Sequence, residues 1–174
     1  MADSEVTEVA EVTDIRVRPA EPGELEQLGE LTYAAYADDC LLDHEPYGDE
    51  LRAAARRAEH AELLAAVDAD GRLLGTVTVV LPGTPYAELA REGELEFRML
   101  AVARHARGRG VGAALTRAVL DRARALGAAR VVLCSMRTMR AAHRLYERLG
   151  FARVPERDWT PVPGITLIAF ARDL

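Results

Sequence analysis

The segment from residue 94 to residue 126 has the pattern of a strand, a turn and a helix. The turn, residues 107–112, reads Arg-Gly-Arg-Gly-Val-Gly and leads directly into the apolar stripe of the helix. Glycines let a backbone come close to another group, and the first N–H groups of a helix have no partner within it. Such N–H groups and the positive end of the helix dipole attract anions. The segment therefore predicts a strand and a helix joined by an anion-binding turn.

The rest of the chain predicts further strands and helices on both sides of this unit. Alternating apolar residues predict strands, and apolar residues at helical spacing predict helices. The expected strands cover residues 14–18, 63–67, 73–81, 96–102, 130–134, 151–154 and 165–170, and the expected helices cover residues 21–39, 49–60, 110–126 and 139–149. Residues 82–93 are expected to form a loop with room for a helical turn at 87–91. Hairpins come first and a β-α-β unit second, which predicts a mixed α/β fold.

The length of 174 residues fits a single domain, which we expect to cover residues 14–174. Residues 1–13 are acidic, small and non-periodic, and are expected to form a disordered tail. This start lacks the basic and apolar regions of a secretory signal, and no run approaches the roughly 20 apolar residues needed to span a bilayer. The sequence therefore predicts a cytoplasmic protein without a membrane partner.

Charge is segregated along the chain, although the net charge is only −6. Residues 21–50 contain no arginine and many acids, namely Glu21, Glu24, Glu26, Glu30, Asp38, Asp39, Asp43, Glu45, Asp49 and Glu50. Residues 97–120 contain arginines and no carboxylate. If both stretches line one cleft, one end would bind anions and the other cations; alternatively, the acids solvate a helix surface. Nucleic-acid binding is not expected of so acidic a chain.

Two well-known phosphate-binding motifs do not fit the turn. A P-loop requires a lysine after its glycines, and the sequence contains no lysine. A dinucleotide fingerprint requires Gly-x-Gly-x-x-Gly and an acid at a strand end about 20 residues further on. Here the spacing is Gly108-x-Gly110-x-Gly112, and no acid ends the next strand. A plain tight turn into a helix remains the structural alternative.

Two motifs together resemble the GNAT superfamily of acyl-CoA-dependent N-acyltransferases. The first is Arg107-x-x-Gly110-x-Gly112, preceded by Leu-Ala-Val at residues 100–102. The second is Ala-x-x-Leu-Tyr-Glu-Arg-Leu-Gly-Phe at residues 142–151, in which the tyrosine is Tyr146. The resemblance covers residues 94–151. It implies a central mixed, mostly antiparallel sheet with a β-α-β acyl-CoA-binding core flanked by helices, and acetyl-CoA as co-substrate without a metal.

Coenzyme A suits the turn chemically, because its phosphates need several amides in a tight turn and fixed positive charge nearby. By resemblance, the main chain of residues 100–102 binds the pantetheine arm. The implied cofactor-binding residues are Leu100, Ala101, Val102, Arg107, Gly108, Arg109, Gly110, Val111, Gly112, Met139 and Tyr146. Met139 stands where many members of the family have asparagine, so a contact made there by an amide side chain is missing and Met139 would only pack against the cofactor.

Acyl transfer from a thioester to an amine needs a neutral amine, a stabilised oxyanion and a protonated leaving thiolate. The resemblance makes Tyr146 the donor of that proton, with plain core packing as the alternative. It makes Glu96 the base; Glu94, on the same face of the strand, and a water chain are the other options. The amide of Val102 is the candidate oxyanion donor. His143 is more simply a packed or exposed histidine than a ligand contact.

The resemblance implies that the acceptor enters beside the first two helices and their loop. The residues at or near that loop are Asp38, Asp39, Asp43, Glu45 and Tyr47, and Trp159 could form a wall from a later loop. The acids favour a primary amine on a small, cationic molecule or a peptide amine, without naming it.

Two further questions remain open in the sequence. A non-catalytic acyl-CoA-binding or sensor domain is the rival function, since it would share the fold and the cofactor site. Exposed edge strands would allow a homodimer.

Cys40 and Cys134 lie far apart, without metal or disulfide spacing, and are interpreted as packing residues.

Overall fold

The computed structural model describes residues 14–39, 41–42 and 45–174, with side chains from residue 47 onwards in the last range. Outside the described residues lie the expected tail at residues 1–13, Cys40 and Asp43. For Glu45 the backbone is described but the side chain is not. In the described part no helix is both long enough and apolar enough to cross a bilayer.

Eight strands and five helices follow one another in the described residues. The strands are β1 (Arg16–Pro19), β2 (Glu62–Val67), β3 (Leu73–Val80), β4 (Glu94–Val102), β5 (Arg130–Met136), β6 (Ala152–Arg153), β7 (Trp159–Val162) and β8 (Ile165–Asp173). The helices are α1 (Leu25–Asp38), α2 (Glu45–Arg52), α3 (Ala54–Ala58), α4 (Val111–Ala125) and α5 (Arg140–Arg148). Three short 3₁₀ turns precede α1, follow β4 and precede β7.

The strands form one sheet in the order β1-β2-β3-β4-β5-β8-β6, and β7 pairs with β8. Every pairing is antiparallel except that of β4 with β5, which α4 connects. The predicted mixed, mostly antiparallel sheet with a β-α-β core is therefore confirmed. A helical crossover is the usual connection between parallel neighbours, because a short turn cannot reverse the chain twice.

Both faces of the sheet are covered. On one face, α4 buries Val111, Leu115 and Val119 against the largest apolar cluster of the described residues. On the other, Leu28 of α1 packs against Ala65, Val67 and Leu73. Neighbouring residues of a strand point to opposite faces. The near-continuous apolar runs of β2 and β3 therefore fit a sheet that is buried on both sides.

Three local predictions were wrong. The helix expected over residues 49–60 is two helices, which break at Ala53; the buried Arg57 donates from Nη1 to the carbonyl oxygens of Glu50 and Leu51 and so stabilises the end of α2. No helical turn forms at residues 87–91, because backbone amides there bind a side chain of β4 instead. The strand β7 is missing from the prediction, because Pro161 within it and the proline that follows it indicate a loop.

The helices α1 and α2 touch at a glycine. A Cβ atom added at Gly29 would lie 2.1 Å from the carbonyl oxygen of Arg52 and 2.9 Å from its carbonyl carbon. Both are backbone atoms, which cannot move aside as the end of a flexible side chain can. This glycine therefore fixes how closely α2 approaches α1.

We expect Gly29→Ala to destabilise the fold by about 1–3 kcal/mol, the usual cost of forcing atoms into a filled space. Alanine is intrinsically the better helix former, so a loss of stability would have to come from the clash. Urea unfolding measures the change. Gly23→Ala is the matched control, since nothing lies within 4 Å of its added Cβ. Equal stability of the two variants would contradict the close approach of α1 and α2.

Candidate active site

The strands β4 and β5 pair over only three residue pairs and then part. The register joins Glu94 to Arg130, Leu95 to Val131 and Glu96 to Val132, and no further pairs follow among the described residues. Beyond Glu96, the edge of β4 that faces β5 has no strand partner, so its main-chain groups are available to a ligand. The two strands therefore enclose an open cleft in the middle of the sheet.

A β-bulge in β4 lies at the start of this cleft. The register with β3 joins Thr78 to Arg98 and Thr76 to Ala101, so that Met99 and Leu100 together oppose a single residue of β3. Met99 has a φ of 54°, the only positive φ of a non-glycine residue in the described part. Such a conformation is costly for a side-chain-bearing residue and is often found next to functional sites. The bulge redirects the main chain of residues 100–102, the stretch assigned above to pantetheine.

The glycine-rich turn opens at the same side of the sheet. Gly110 precedes α4 in a left-handed conformation, with a φ of 83°, and a Cβ atom added at Gly108 or Gly110 would meet nothing within 4 Å. The turn and the first amides of α4 therefore lie open. A Cβ at Gly112 would lie 3.1 Å from Cδ2 of Leu145, so the start of α4 rests against α5.

Arg107 faces away from the turn and towards α1. Its Nη1 donates to Oδ1 of Asp39 at 3.0 Å, and its Nη2 donates to the carbonyl oxygen of Ala35 at 3.3 Å. A cation at the C-terminal end of a helix is favourable, because the helix dipole is negative there. Arg107 thus joins the basic turn to the acidic stretch.

Tyr146 lies among aromatic rings, with 4% of its surface exposed. Its ring centroid is 5.8 Å from that of Phe97, 6.0 Å from that of Phe151 and 5.9 Å from that of Phe170. Burial first, and then the neighbouring Cys134, raise the pKa of the phenol well above its ordinary value. The phenol therefore carries its proton at neutral pH. This packing suits both the proposed proton donor and a plain core residue.

A pocket of about 470 Å³ lies beside the cleft. Residues of α1, the following loop and α2, together with β4, β5, β7 and β8, form its walls: Tyr36, Leu41, Tyr47, Glu50, Glu88, Arg98, Met99, Cys134, Ser135, Met136, Met139, Pro161, Val162, Ile165 and Leu167. Most of these are apolar, and the charged groups are Glu50, Glu88 and Arg98. A small molecule with a cationic group suits such a lining.

Glu96 is completely buried, and no part of it is exposed to solvent. Its Oε2 accepts the backbone N–H groups of Glu88, Leu89 and Ala90 at 2.9, 3.0 and 3.1 Å. Its Oε1 has no hydrogen-bond partner among the described residues. The sequence predicts this carboxylate as the base, and in the structure it is buried and does not line the pocket.

Sequence reasoning missed Glu88 and assigned Arg98 only to the basic stretch. The Glu88 carboxylate pairs with Nη2 of Arg98, whose Nη1 donates to the carbonyl oxygen of Tyr86 at 3.0 Å. Strand parity puts Arg98 on the same face as Glu96 and was a usable signal. Glu88 lies in a loop without periodicity, and its position gave no such signal.

Glu94, the reserve base, is committed to an ion pair. Its Oε1 accepts from Nη1 of Arg157 at 2.8 Å and its Oε2 from Nη2 at 3.0 Å. Burial acts to raise the Glu94 pKa, but the bonds from Arg157 and from the Arg91 amide outweigh it and leave the pKa lowered. Arg157 Nη2 also donates to the carbonyl oxygen of Leu89. The pair thus holds the loop that carries Glu88.

His143 and Met139 lie together at the start of α5. His143 Nε2 is 3.0 Å from Oγ of Ser135, and its ring is 5.1 Å from that of Phe170. The same hydroxyl donates to Sδ of Met139 at 3.5 Å. His143 is thus a packed histidine, in agreement with the simpler interpretation, while Met139 lines the pocket. Burial lowers the pKa of His143.

One group of three metal-ligating side chains comes together in the described part of the chain: Glu88, Glu96 and Cys134. Arg98 already supplies positive charge to this group through Glu88. Burial raises the pKa of the Cys134 thiol to about 12, so the sulfur is protonated at neutral pH. It is therefore neither a ready metal ligand nor a ready nucleophile.

The acidic stretch reaches the pocket only in part. Among its described acidic side chains, only Glu50 lines the pocket, while Asp39 pairs with Arg107 and Asp38 lies beside another surface groove. Tyr47 lines the pocket as expected and packs edge-on against Tyr36 at 6.1 Å. The wall expected from Trp159 is formed by its neighbours in β7.

The chain belongs to the acetyltransferase (GNAT) family, whose model matches residues 26–151. The chain is 40% identical over 75 residues to the N-acetylaspartate synthetase of Danio rerio and 37% identical over 76 residues to that of Rattus norvegicus. These matches cover 43% and 44% of this chain but 27% and 25% of the relatives. The chain thus matches about a quarter of the length of these curated relatives.

Solved structures share the architecture over nearly the whole chain. A GCN5-related N-acetyltransferase from Kribbella flavida is 27% identical, with a TM-score of 0.68 over 92% of this chain and 98% of that one. A GNAT-family acetyltransferase from Staphylococcus aureus has a TM-score of 0.71 over 92% of this chain and 99% of that one, at 13% identity. The second likeness supports the fold alone.

We expect Arg157→Gln to destabilise the protein by about 3–5 kcal/mol, because it leaves the half-buried Glu94 carboxylate without its partner. A lowered pKa gives stability that is present above the ordinary value of 4.5 and is lost as pH falls through the folded value. The stability gap to the unaltered protein should therefore narrow in acid. Urea unfolding from pH 7 down to pH 3 measures it.

The control is Arg124→Gln, which breaks the exposed ion pair with Asp121. Exposed pairs contribute little to stability, so this variant should unfold like the unaltered protein. If the difference in unfolding free energy between Arg157→Gln and the unaltered protein is the same at every pH, the ion pair with Glu94 is not the cause of the lost stability.

Proposed function

We propose that the protein is an N-acetyltransferase that moves the acetyl group of acetyl-CoA directly to a primary amine. The observation that carries this proposal is the parting of β4 and β5 after three residue pairs, with the Met99 bulge at its start. This cleft lies between an open helix N-terminus and a pocket that contains carboxylates. Membership of the acetyltransferase (GNAT) family supports the same function.

The residues present fit coenzyme A. The open turn at Gly108 and Gly110 and the first amides of α4 would hold its phosphates, with Arg109 adding positive charge. The unpaired edge of residues 100–102 would hydrogen-bond the amides of its pantetheine arm. Arg107 would contribute from the side of the turn, while it remains tied to α1. Acetyl-CoA, when bound, supplies the activated thioester carbonyl.

The chain's own residues supply the rest of the chemistry. A carboxylate accepts a proton from the acceptor ammonium, and the resemblance names Glu96 for this role. The Val102 amide stabilises the oxygen that becomes negative when the amine attacks. The Tyr146 phenol gives its proton to the departing sulfur. Burial raises the pKa of the Cys134 thiol, which supports direct transfer rather than transfer through an acyl-cysteine.

The acceptor is proposed to be a small molecule with a cationic group or a peptide amine. The charged groups of the pocket are Glu50, Glu88 and Arg98, and the two carboxylates outnumber the arginine. An amino acid is the second candidate. The relatives' name specifies a product with carboxylates, and Arg98 could bind one of them.

Binding of acetyl-CoA and release of thiol test the function together. At 100 times its dissociation constant, acetyl-CoA should stabilise the fold by about 2.7 kcal/mol, which thermal unfolding detects. With a panel of polyamines, aminoglycosides, amino acids including aspartate, and peptide amines, we expect thiol release from at least one class. Stabilisation without thiol release for any amine would favour the non-catalytic sensor. If millimolar acetyl-CoA gives neither stabilisation nor thiol release, both the enzyme and the non-catalytic sensor are excluded.

We expect Tyr146→Phe to lower kcat by on the order of 10²–10⁴-fold, the usual contribution of a positioned proton donor. The ring packing is kept, so the stability and the acetyl-CoA affinity should change little. Steady-state thiol release measures kcat, and thermal unfolding with acetyl-CoA measures binding. Tyr33→Phe serves as a control, because that ring lies under Arg52 and does not line the pocket. Equal turnover of Tyr146→Phe and the unaltered protein would reduce Tyr146 to a core residue.

A further inference from the structure

We propose that Glu88, and not Glu96, accepts the proton of the acceptor ammonium, and that Glu96 is a positioning residue that holds Glu88 in place. This assignment rests on the acetyl transfer proposed above and names which carboxylate serves it. It is carried by the geometry of the loop between β3 and β4, residues 81–93, and by the different exposure of the two carboxylates.

Glu96 is badly placed to meet a substrate. Its side chain is fully buried and does not line the pocket. Its Oε2 is already occupied by three backbone N–H groups, those of residues 88–90. A carboxylate that accepts several amides in this way fixes the backbone that donates them. The bonds from Glu96 therefore determine where the loop, and with it the side chain of Glu88, lies.

Glu88 is well placed to meet a substrate. Its amide is one of the three bound by Glu96, so its Cα is fixed directly by that carboxylate. Its side chain lines the pocket and keeps 16% of its surface exposed, which leaves the carboxylate within reach of a small amine. The loop is held at two more points, by Arg98 at the carbonyl of Tyr86 and by Arg157 at the carbonyl of Leu89.

The charges around Glu88 suit a proton acceptor. Arg98 and Glu96 face it from β4, and Cys134 faces it from β5. From the other side of the pocket come Tyr36 of α1 and Tyr47 and Glu50 of α2. Burial first, and then Glu96, raise the Glu88 pKa, while Arg98 lowers it, and the net direction is upward. A carboxylate with a raised pKa is the stronger base at neutral pH.

The proton balance of the reaction closes with Glu88 and Tyr146. Glu88 takes one proton from the ammonium, and the neutral nitrogen then forms a bond to the thioester carbonyl carbon. The carbon–sulfur bond breaks, and the sulfur receives the proton of Tyr146. The nitrogen loses its second proton, which restores the phenol, and keeps one hydrogen in the amide. Glu88 releases its proton to solvent, so one proton is set free per transfer.

The test compares Glu88→Gln, Glu96→Gln and Glu88→Asp in steady-state thiol release over pH, with an amine that the unaltered protein acetylates. In Glu88→Gln we expect kcat at neutral pH to fall by on the order of 10²-fold or more. This defect should shrink as pH approaches the pKa of the amine, because the amine then arrives already neutral. A purely structural defect would not be relieved in this way. Glu88→Asp keeps a carboxylate and should recover part of the rate.

In Glu96→Gln the rate of thiol release should still fall towards acid, because Glu88 is present. The pH at which the rate falls should be lower than in the unaltered protein, because a negative charge next to Glu88 is gone. Glu92→Gln is the control in the same loop, at an exposed position away from the pocket. Acetyl-CoA should stabilise all variants alike. An unchanged rate and pH profile in Glu88→Gln would overturn the role of Glu88 alone. Absence of thiol release from the unaltered protein with every amine would overturn the acetyl transfer itself, and this assignment with it.

Discussion

The structure depends on the short pairing of β4 with β5. A sheet gains stability from each strand pair, so a parting in its centre leaves main-chain groups that something else must satisfy. The Met99 bulge and the crossover through α4 keep the two strands apart while β3 and β8 hold them from outside. The protein therefore keeps an open cleft in the centre of the sheet, where a ligand can complete the hydrogen bonding.

A second set of interactions surrounds this cleft and depends on one buried carboxylate. Glu96 holds the loop before β4 through three amides, and Arg157 joins the same loop to Glu94 and to the loop before β7. A buried carboxylate is costly unless its hydrogen bonds are made. These interactions therefore hold the loop in place at several points, and with it the side chain of Glu88.

Much of the fold could be predicted from the sequence, because the segment 94–151 combines strong periodicity with glycines at fixed places. The break between α2 and α3 could not be predicted, because it depends on the side chain of Arg57, which binds carbonyl oxygens of the preceding helix. The carboxylate Glu96 could be found from the resemblance, but its burial could not. The position of Glu88 depends on amides that fold back onto Glu96, and no local pattern encodes such a contact.

The segregation of charge in the sequence has a different meaning in the folded protein. The sequence suggested an anionic half for the acceptor and a cationic half for the cofactor, yet Arg107 and Asp39 bind each other across that boundary. The pocket charges come from α2, from the loop before β4 and from β4 itself. Arg98 pairs with Glu88, and Arg56 pairs with Glu50. A cationic acceptor would therefore have to compete with an arginine for either carboxylate, whereas an acceptor carboxylate would have to compete with Glu88 for Arg98. The choice between these acceptors therefore depends on the strength of these two ion pairs rather than on the total charge of the helices.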